Sequence, residues 1–330
     1  MNLIKCDDIH SLIVSYLDNI TDVLSWRNLC KKSYFKQYIL SFMYNKLHSN
    51  IYSQTFTLIN GYNTIDIINY GFRINTLYAD RRINDVYFKY MPNVKNLYCM
   101  MNTQLTDITL MYLPNLQKLY CQHNSLFTDD GLSYVPNLTI LHCSYWDSKF
   151  TDNGLLKLPK LECLCCSFNN NITDRSIKNM KHLQVLHLDN NTIISNESVS
   201  KLTDLCNLHI GYNNNITDST LDNLKKLESL YVSNNTKLTN IALRNLPSLK
   251  VLDMGMNNNF TNESLHNLNN LLALNCINNE KITIDGISNL TKLKILHCRF
   301  TITLPLLKET HPDLKHINCE CYDHIFNVTE

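Results

Sequence analysis

The chain is poor in glycine and proline, with 7 of each in 330 residues. So few glycines leave little room for a phosphate-cradling loop, whose backbone must approach an anion closely. No charge of one sign dominates: 30 Lys+Arg face 29 Asp+Glu, a formal net charge of +1. That balance argues against a strongly basic nucleic-acid binder and against an acidic tail. No run approaches the roughly 18 uncharged apolar residues of a membrane-spanning helix. Residues Met1 to Asp8 lack a basic segment followed by an apolar one, so no secretory leader is visible. The 13 cysteines are odd in number and too sparse for a small disulfide scaffold. These absences predict an intracellular protein of cytoplasm or nucleus, in which the sequons at Asn137 and Asn171 are chance matches.

Asparagine, by contrast, is abundant, with 46 residues or 14% of the chain. Such enrichment usually accompanies low complexity. Here 44% of residues are apolar and 18 Tyr and 11 Phe are present, enough for a large core. The positions of the asparagines therefore matter more than their number.

A Leu-x-x-Leu phrase begins at Val94, Leu116, Leu138, Leu161, Leu183, Leu205, Leu227, Leu249, Leu271, Leu293 and Leu314. The spacing is 22 residues except for a step of 23 into Leu161 and one of 21 into Leu314. Two residues after the second leucine comes a third apolar position, for example Cys99, Cys121, Leu188 or Val232. This period fits a leucine-rich repeat (LRR), with a strand and a return segment in each unit. No unit can bury its own apolar edge, so the units must stack into one continuous core. The predicted fold is an α/β solenoid of about twelve units with short parallel strands on its concave face. Phrases such as Phe127-Thr-Asp129 and Ile172-Thr-Asp174 offer Thr or Asp to cap a convex helical turn. Six of the seven prolines stand just before the first leucine, where they can end that turn. An irregular first unit is read at Ile74-x-x-Leu77-x-Ala79.

Seven cysteines fill the third strand position, where other units carry Leu, Ile, Val or Met, so they act as small buried hydrophobes. The outward middle position carries Tyr98, Tyr120, His142, Cys165, His187, His209 and Tyr231 in successive units. Strands lie about 4.8 Å apart, so His142, Cys165, His187 and His209 form a row and not a tetrahedron. The expectation is a polar and aromatic stripe that binds a target protein, with no metal and no cofactor. Its flanking columns, including Lys118, Gln122, Ser167, Asp189 and Asn207, hold no dense Lys/Arg track for nucleic acid. Asn102, Asn124, Asn169, Asn191, Asn213, Asn235, Asn257 and Asn279 recur five residues after the second leucine. There their amides can bond to neighbouring turns as a ladder along the solenoid, weaker where Trp146, Thr301 and Tyr322 replace them.

Residues 1–45 follow a different pattern, with helical spacing in Ile9, Leu12, Ile13, Tyr16 and Leu17 and again in Val23, Leu24, Trp26 and Leu29. Ile13-Val-Ser-Tyr-Leu-Asp18 and Thr21-Asp-Val-Leu-Ser-Trp-Arg27, followed by Asn28-Leu-Cys-Lys-Lys32, resemble an F-box, although the usual Leu-Pro start is absent. A helical cap for the solenoid is the alternative reading, and both roles can coexist. The domain plan is thus 1–45 F-box-like, 46–73 connecting segment or cap, 74–322 solenoid and 323–330 tail. The whole resembles the F-box/LRR class, and its Asn, Ile and Tyr usage resembles members from giant amoeba-infecting DNA viruses.

That resemblance implies a substrate-recognition adaptor of a ubiquitin ligase. Ile9, Ile13, Leu17, Leu24 and Leu29 would contact a Skp1-like subunit, and through it a cullin/RING ligase. The solenoid would hold an unknown protein substrate, with no nucleic acid and no membrane involved and the chain monomeric outside the complex. The rival is a scaffolding LRR protein without a ubiquitin role. An enzyme is disfavoured, because no Ser/His/Asp or Cys/His constellation is recognisable in the sequence.

Overall fold

The 22-residue period becomes a single parallel sheet. The computed structural model describes residues 55–58, 74–81, 83–298, 307 and 310–319. The 1–45 segment, with Ile9, Ile13, Leu17, Leu24 and Leu29, and the 323–330 tail lie outside them, as do Thr301 and Tyr322. Strands β1 (Thr55–Leu58), β2 (Thr76–Ala79), β3 (Asn96–Tyr98), β4 (Lys118–Tyr120), β5 (Ile140–His142) and β6 (Cys163–Cys165) come first. They are followed by β7 (Val185–His187), β8 (Asn207–His209), β9 (Ser229–Tyr231), β10 (Val251–Asp253), β11 (Ala273–Asn275), β12 (Ile295–Cys298) and β13 (His316–Cys319). All thirteen pair in chain order, each strand lying parallel to its sequence neighbours.

The register puts like on like: Leu119 faces Leu141, Leu164 faces Leu186, and Leu208 faces Leu230. Each of these leucines is buried, as are the first leucines of the phrase from Leu116 to Leu293 and one apolar side chain in each convex turn, such as Leu110, Leu132 and Ile177. A three-residue strand has no stability of its own, so every unit depends on its neighbours. The sheet begins earlier than periodicity alone suggests, because β1 lies within the 46–73 stretch. Its Phe56 pairs with Leu77, but Ser53 stands where the first leucine of the phrase would be, which hid the unit.

Six of the cysteines in the third strand position, Cys99, Cys121, Cys143, Cys166, Cys276 and Cys298, are buried in the continuous core. Burial pushes the Cys143 thiol up to about 12, and it raises Cys99, Cys121 and Cys166 as well. Such thiols stay protonated and pack as hydrophobes.

The eight repeat asparagines are also buried. Asn191 shows their bonding: Nδ2 donates to the Asn169 carbonyl at 2.8 Å, and Oδ1 accepts from Ile193 N and Ile194 N at 2.9 Å each. Asn235, Asn257 and Asn279 likewise donate to the carbonyl of the asparagine one unit earlier. In the unit with the extra residue, Trp146 is 79% exposed, and Ser148 Oγ accepts from Phe150 N instead.

A second ladder runs along the convex side. Thr106, Thr128, Thr151 and Thr173 each cap a short helix by accepting from the N–H two residues on. The aspartate that follows each cap does not serve its own helix. Asp107 accepts from the N and Oγ1 of Thr128, the next unit's cap, at 2.9 and 2.6 Å. Asp85, Asp129, Asp152, Asp174 and Asp218 repeat this bond to the following Thr or Ser.

Where asparagine replaces the aspartate, the cap changes. Asn196, Asn240 and Asn262 donate Nδ2 to Thr217, Thr261 and Thr283. Those three threonines make no side-chain bond to their helix N-terminus. The reason is the hydroxyl's own inventory: donating to a carboxylate leaves lone pairs aimed at the helix, whereas accepting from an amide turns them away. Where the third residue after the cap is glycine, the carboxylate or amide moves into the space a side chain fills in other units. A Cβ on Gly131, Gly154 or Gly286 would sit 2.2–2.4 Å from the Oδ1 of Asp107, Asp129 or Asn262.

Asp174 makes this ladder sensitive to pH. Burial alone would raise its carboxyl, but the N–H and hydroxyl of Ser195 and the hydroxyl of Ser198 outweigh it and hold it below the ordinary 3.8. A depressed folded-state value gives stability that is present above the unfolded value and lost as pH falls through the folded one. An Asp174→Asn variant is therefore expected to lose stability less steeply than the parent below about pH 4. Urea midpoints measured at several acidic pH values check this; parallel slopes for the two proteins would remove Asp174 from the account.

Candidate functional site

Alternation along a strand sends the two leucine-flanking positions outward, so the concave face is a grid of strand-borne side chains. Tyr98, Tyr120, His142, Cys165, His187, His209 and Tyr231 all lie on it, one per unit on β3 to β9. Tyr78 on β2 extends the column. Tyr78, Tyr98 and Tyr120 stack with centroids 4.4 and 4.3 Å apart and rings within 11° of parallel. A second stack joins His187, His209 and Tyr231 at 3.7 and 3.8 Å. Strand spacing brings the rings to this distance, and stacking fixes their rotamers.

Cys165 separates the two stacks. Its Sγ lies 3.4 Å from His142 Nε2 and 3.2 Å from His187 Nδ1. Cys163, two residues earlier on the same strand and thus on the same face, has its Sγ 3.9 Å from His142 Nε2. The Cys163 thiol is pulled down to about 5: Cys165 bonds to it, and His142 and Lys118 assist against the opposing effect of burial. Cys165 moves up in turn, through its bond with Cys163 and through burial. His187 is lowered to about 4, by burial first and then by the neighbouring His209, so it is neutral at pH 7.

Farther along, Asp189 ties three units together. It accepts from Gly211 N at 2.8 Å and from Ser167 Oγ at 3.4 Å, and His209 Nδ1 lies 3.7 Å away. A Cβ on Gly211 would meet Asp189 Oδ1 at 2.9 Å, so the glycine lets the carboxylate approach its N–H. The partner of Ser167 is thus a carboxylate and not a base-competent imidazole. Among the described residues no catalytic constellation is present.

Beside the strand ends runs a ridge absent from the sequence reading. Met101, His123, Tyr145, Phe168, Asn190, Tyr212, Asn234, Met256 and Asn278 all take positive φ, one per unit and none of them glycine. The left-handed turn projects their side chains outward: Met101, Tyr145, Phe168, Tyr212 and Met256 are exposed. His123 stacks on Tyr145 at 3.7 Å and Tyr145 faces Phe168 at 5.8 Å, beside exposed Trp146. The signal was the residue preceding each repeat asparagine, but Met, His, Tyr, Phe and Asn share no chemistry that would mark the column.

This architecture is an LRR-type solenoid. The internalin InlF of Listeria monocytogenes is similar to it at 25% identity and a TM-score of 0.58, over 82% of this chain and 86% of that one. A chain of the Rad7 and Elc1 complex of yeast has a TM-score of 0.60 at 17% identity, over 99% of this chain and 98% of that one. No protein-family model and no curated protein matches the sequence. Among the described residues no helix is long and apolar enough to cross a membrane.

Proposed function

We propose that the solenoid is a protein-recognition module and that the N-terminal segment joins it to a Skp1-like subunit of a cullin-based ubiquitin ligase. The observation that carries recognition is the stacked Tyr78–Tyr98–Tyr120 column together with exposed Tyr145, Trp146 and Phe168 on the adjoining ridge. Aromatic side chains already held in one rotamer lose little entropy on binding, and such residues dominate protein interfaces. The column's three tyrosines and the two histidine-rich units beyond it give a partner flat faces, hydroxyls and ring nitrogens within one continuous strip.

The ligase part rests on the F-box resemblance of residues 1–45. The fold likeness to a chain of the Rad7 and Elc1 complex agrees with a solenoid that works alongside a second subunit. The chain would then contribute proximity and orientation and make no bond itself. Origin in a giant-virus genome belongs to the same reading and rests on residue usage alone.

Two captures test the two halves separately. The full chain is expected to retain a Skp1-like subunit, and removal of residues 1–40 to abolish it; no retention by the folded full chain leaves the scaffolding reading. Proximity labelling with the shortened chain would enrich the target without its turnover. Tyr98→Ala with Tyr120→Ala is then expected to weaken that target at least tenfold while leaving the Skp1-like subunit bound, since hot-spot truncation costs about 2 kcal/mol or more. Unchanged target enrichment in the double variant would move the interface off the concave face.

A further inference from the structure

Two cysteines face outward on β6 where no other described strand carries a pair. The six core cysteines alternate with Leu, Ile, Val and Met from unit to unit, but Cys163 and Cys165 do not share those positions. Their columns hold Lys118, Ile140, Val185 and Asn207 beside Cys163, and tyrosines and histidines beside Cys165. A need for a small core hydrophobe therefore does not account for them.

We propose that Cys163, Cys165 and His142 form a binding site for a thiophilic metal ion, zinc(II), on the concave face. Their three ligand atoms lie within 4.8 Å of one another. Zinc bonds of about 2.3 Å to sulfur and about 2.05 Å to nitrogen put adjacent tetrahedral corners about 3.6 Å apart for S and N. The separations from His142 Nε2 are 3.9 Å to Cys163 Sγ and 3.4 Å to Cys165 Sγ, on either side of that value. A row of residues one per strand could not give such a triangle. The i, i+2 pair on one strand with a histidine on the next does.

Two further observations point the same way. The His142 ring is turned 44° from Tyr120, whereas the tyrosines before it stack within 11° of parallel. The turn breaks the column and aims Nε2 at the two sulfurs. Behind it, the Gln122 amide reaches His142 Nδ1 at 3.4 Å, and the other atom of that amide, Oε1, is buried with no hydrogen-bond partner among the described residues. With the amide turned over, Oε1 accepts from Nδ1–H, which leaves the Nε2 lone pair free for a metal. Such an outer partner, fixing the tautomer of a histidine ligand, is a regular part of zinc sites.

Zinc takes both sulfurs as thiolates, any proton still held on them passing to solvent as the ion binds, so two thiolates neutralise zinc(II) and the loaded site carries no net charge. Of the three ligands His187 meets only Cys165, at 3.2 Å, and it stands outside the triangle. The fourth position is therefore left for water or for a donor from a docked protein.

The test uses the full chain, reduced and folded. Metal analysis is expected to find about one zinc per chain, and cobalt(II) loading to give thiolate-to-cobalt charge-transfer absorption with tetrahedral d–d bands. Cys163→Ser and His142→Ala should each weaken zinc by more than about tenfold, since loss of even an outer partner of a ligand costs that much. Cys206→Ser, away from the triangle, should leave it unchanged, and His187→Ala should keep the cobalt spectrum. Circular dichroism on each variant separates a lost site from a lost fold. A folded wild-type chain without thiolate-to-cobalt absorption, or one whose absorption survives Cys163→Ser with Cys165→Ser, would overturn the proposal.

Discussion

Asn191→Ala is expected to lower unfolding stability by about 3–4 kcal/mol, the largest effect foreseen for a single polar residue in this chain. The side chain is fully buried and makes three hydrogen bonds. Removal strands the Ile194 N–H and the Asn169 carbonyl inside the stack and takes the partner from the part-buried Ile193 N–H. Each lost bond is worth about 1 kcal/mol net, and leaving the partner buried and unsatisfied adds to it. Thr192→Ala, one residue away and exposed, should change stability by about 0.5 kcal/mol or less, which makes it the neighbouring control. Chemical denaturation gives both values. Hydrogen exchange should show faster exchange concentrated in the units flanking residue 191, because each unit touches only its neighbours. Equal losses for the two variants would mean that the asparagine column reflects composition and not bonding.

Asp152→Ala is expected to cost about 3 kcal/mol, for a different reason. Its carboxylate is 8% exposed and accepts from Thr173 N, Thr173 Oγ1 and Ser176 Oγ at 2.9, 2.6 and 2.5 Å. Charge-assisted bonds of this kind are the stronger class, and alanine leaves Thr173 N and Oγ1 without an acceptor and Ser176 Oγ with only the Thr173 carbonyl at 3.4 Å. Asp152→Asn separates the contributions. Three units already use asparagine here, so the bridge to Thr173 should survive in altered polarity while the cap on the helix Asp174–Ile177 is lost. The expected loss is about 1 kcal/mol, the usual worth of a helix cap. Thermal melts of the two variants against the parent check the order. An Asn variant as damaged as the Ala variant would show that charge, and not cap geometry, governs this ladder.

Much of this fold was legible from spacing alone because a solenoid writes the same packing problem once per unit. Leu119, Leu141 and Leu164 solve it identically, and repetition raised a weak local signal above noise. The missed features are those in which one unit serves another. Asp107 sits next to Thr106 and reads as a local cap, but its partner Thr128 lies 21 residues on. Cys163 was overlooked because columns were followed across strands while its partner Cys165 lies along one. β1 escaped because Ser53 and Phe56 replace both leucines of the phrase.

The stacked column of Tyr78, Tyr98 and Tyr120 also acts as a ruler. Successive strands advance about 4.8 Å, whereas same-face residues of an extended peptide advance about 6.7 Å and slip by more than a third of a unit at each step. A helix advances about 5.4 Å per turn, so it drifts only about 0.6 Å per unit and stays within half a unit of phase over four turns. Laid along the groove, a helical ligand can meet four consecutive units with equivalent side chains, and an extended one cannot. The pitch of the scaffold therefore filters ligands by their secondary structure before any side chain is read.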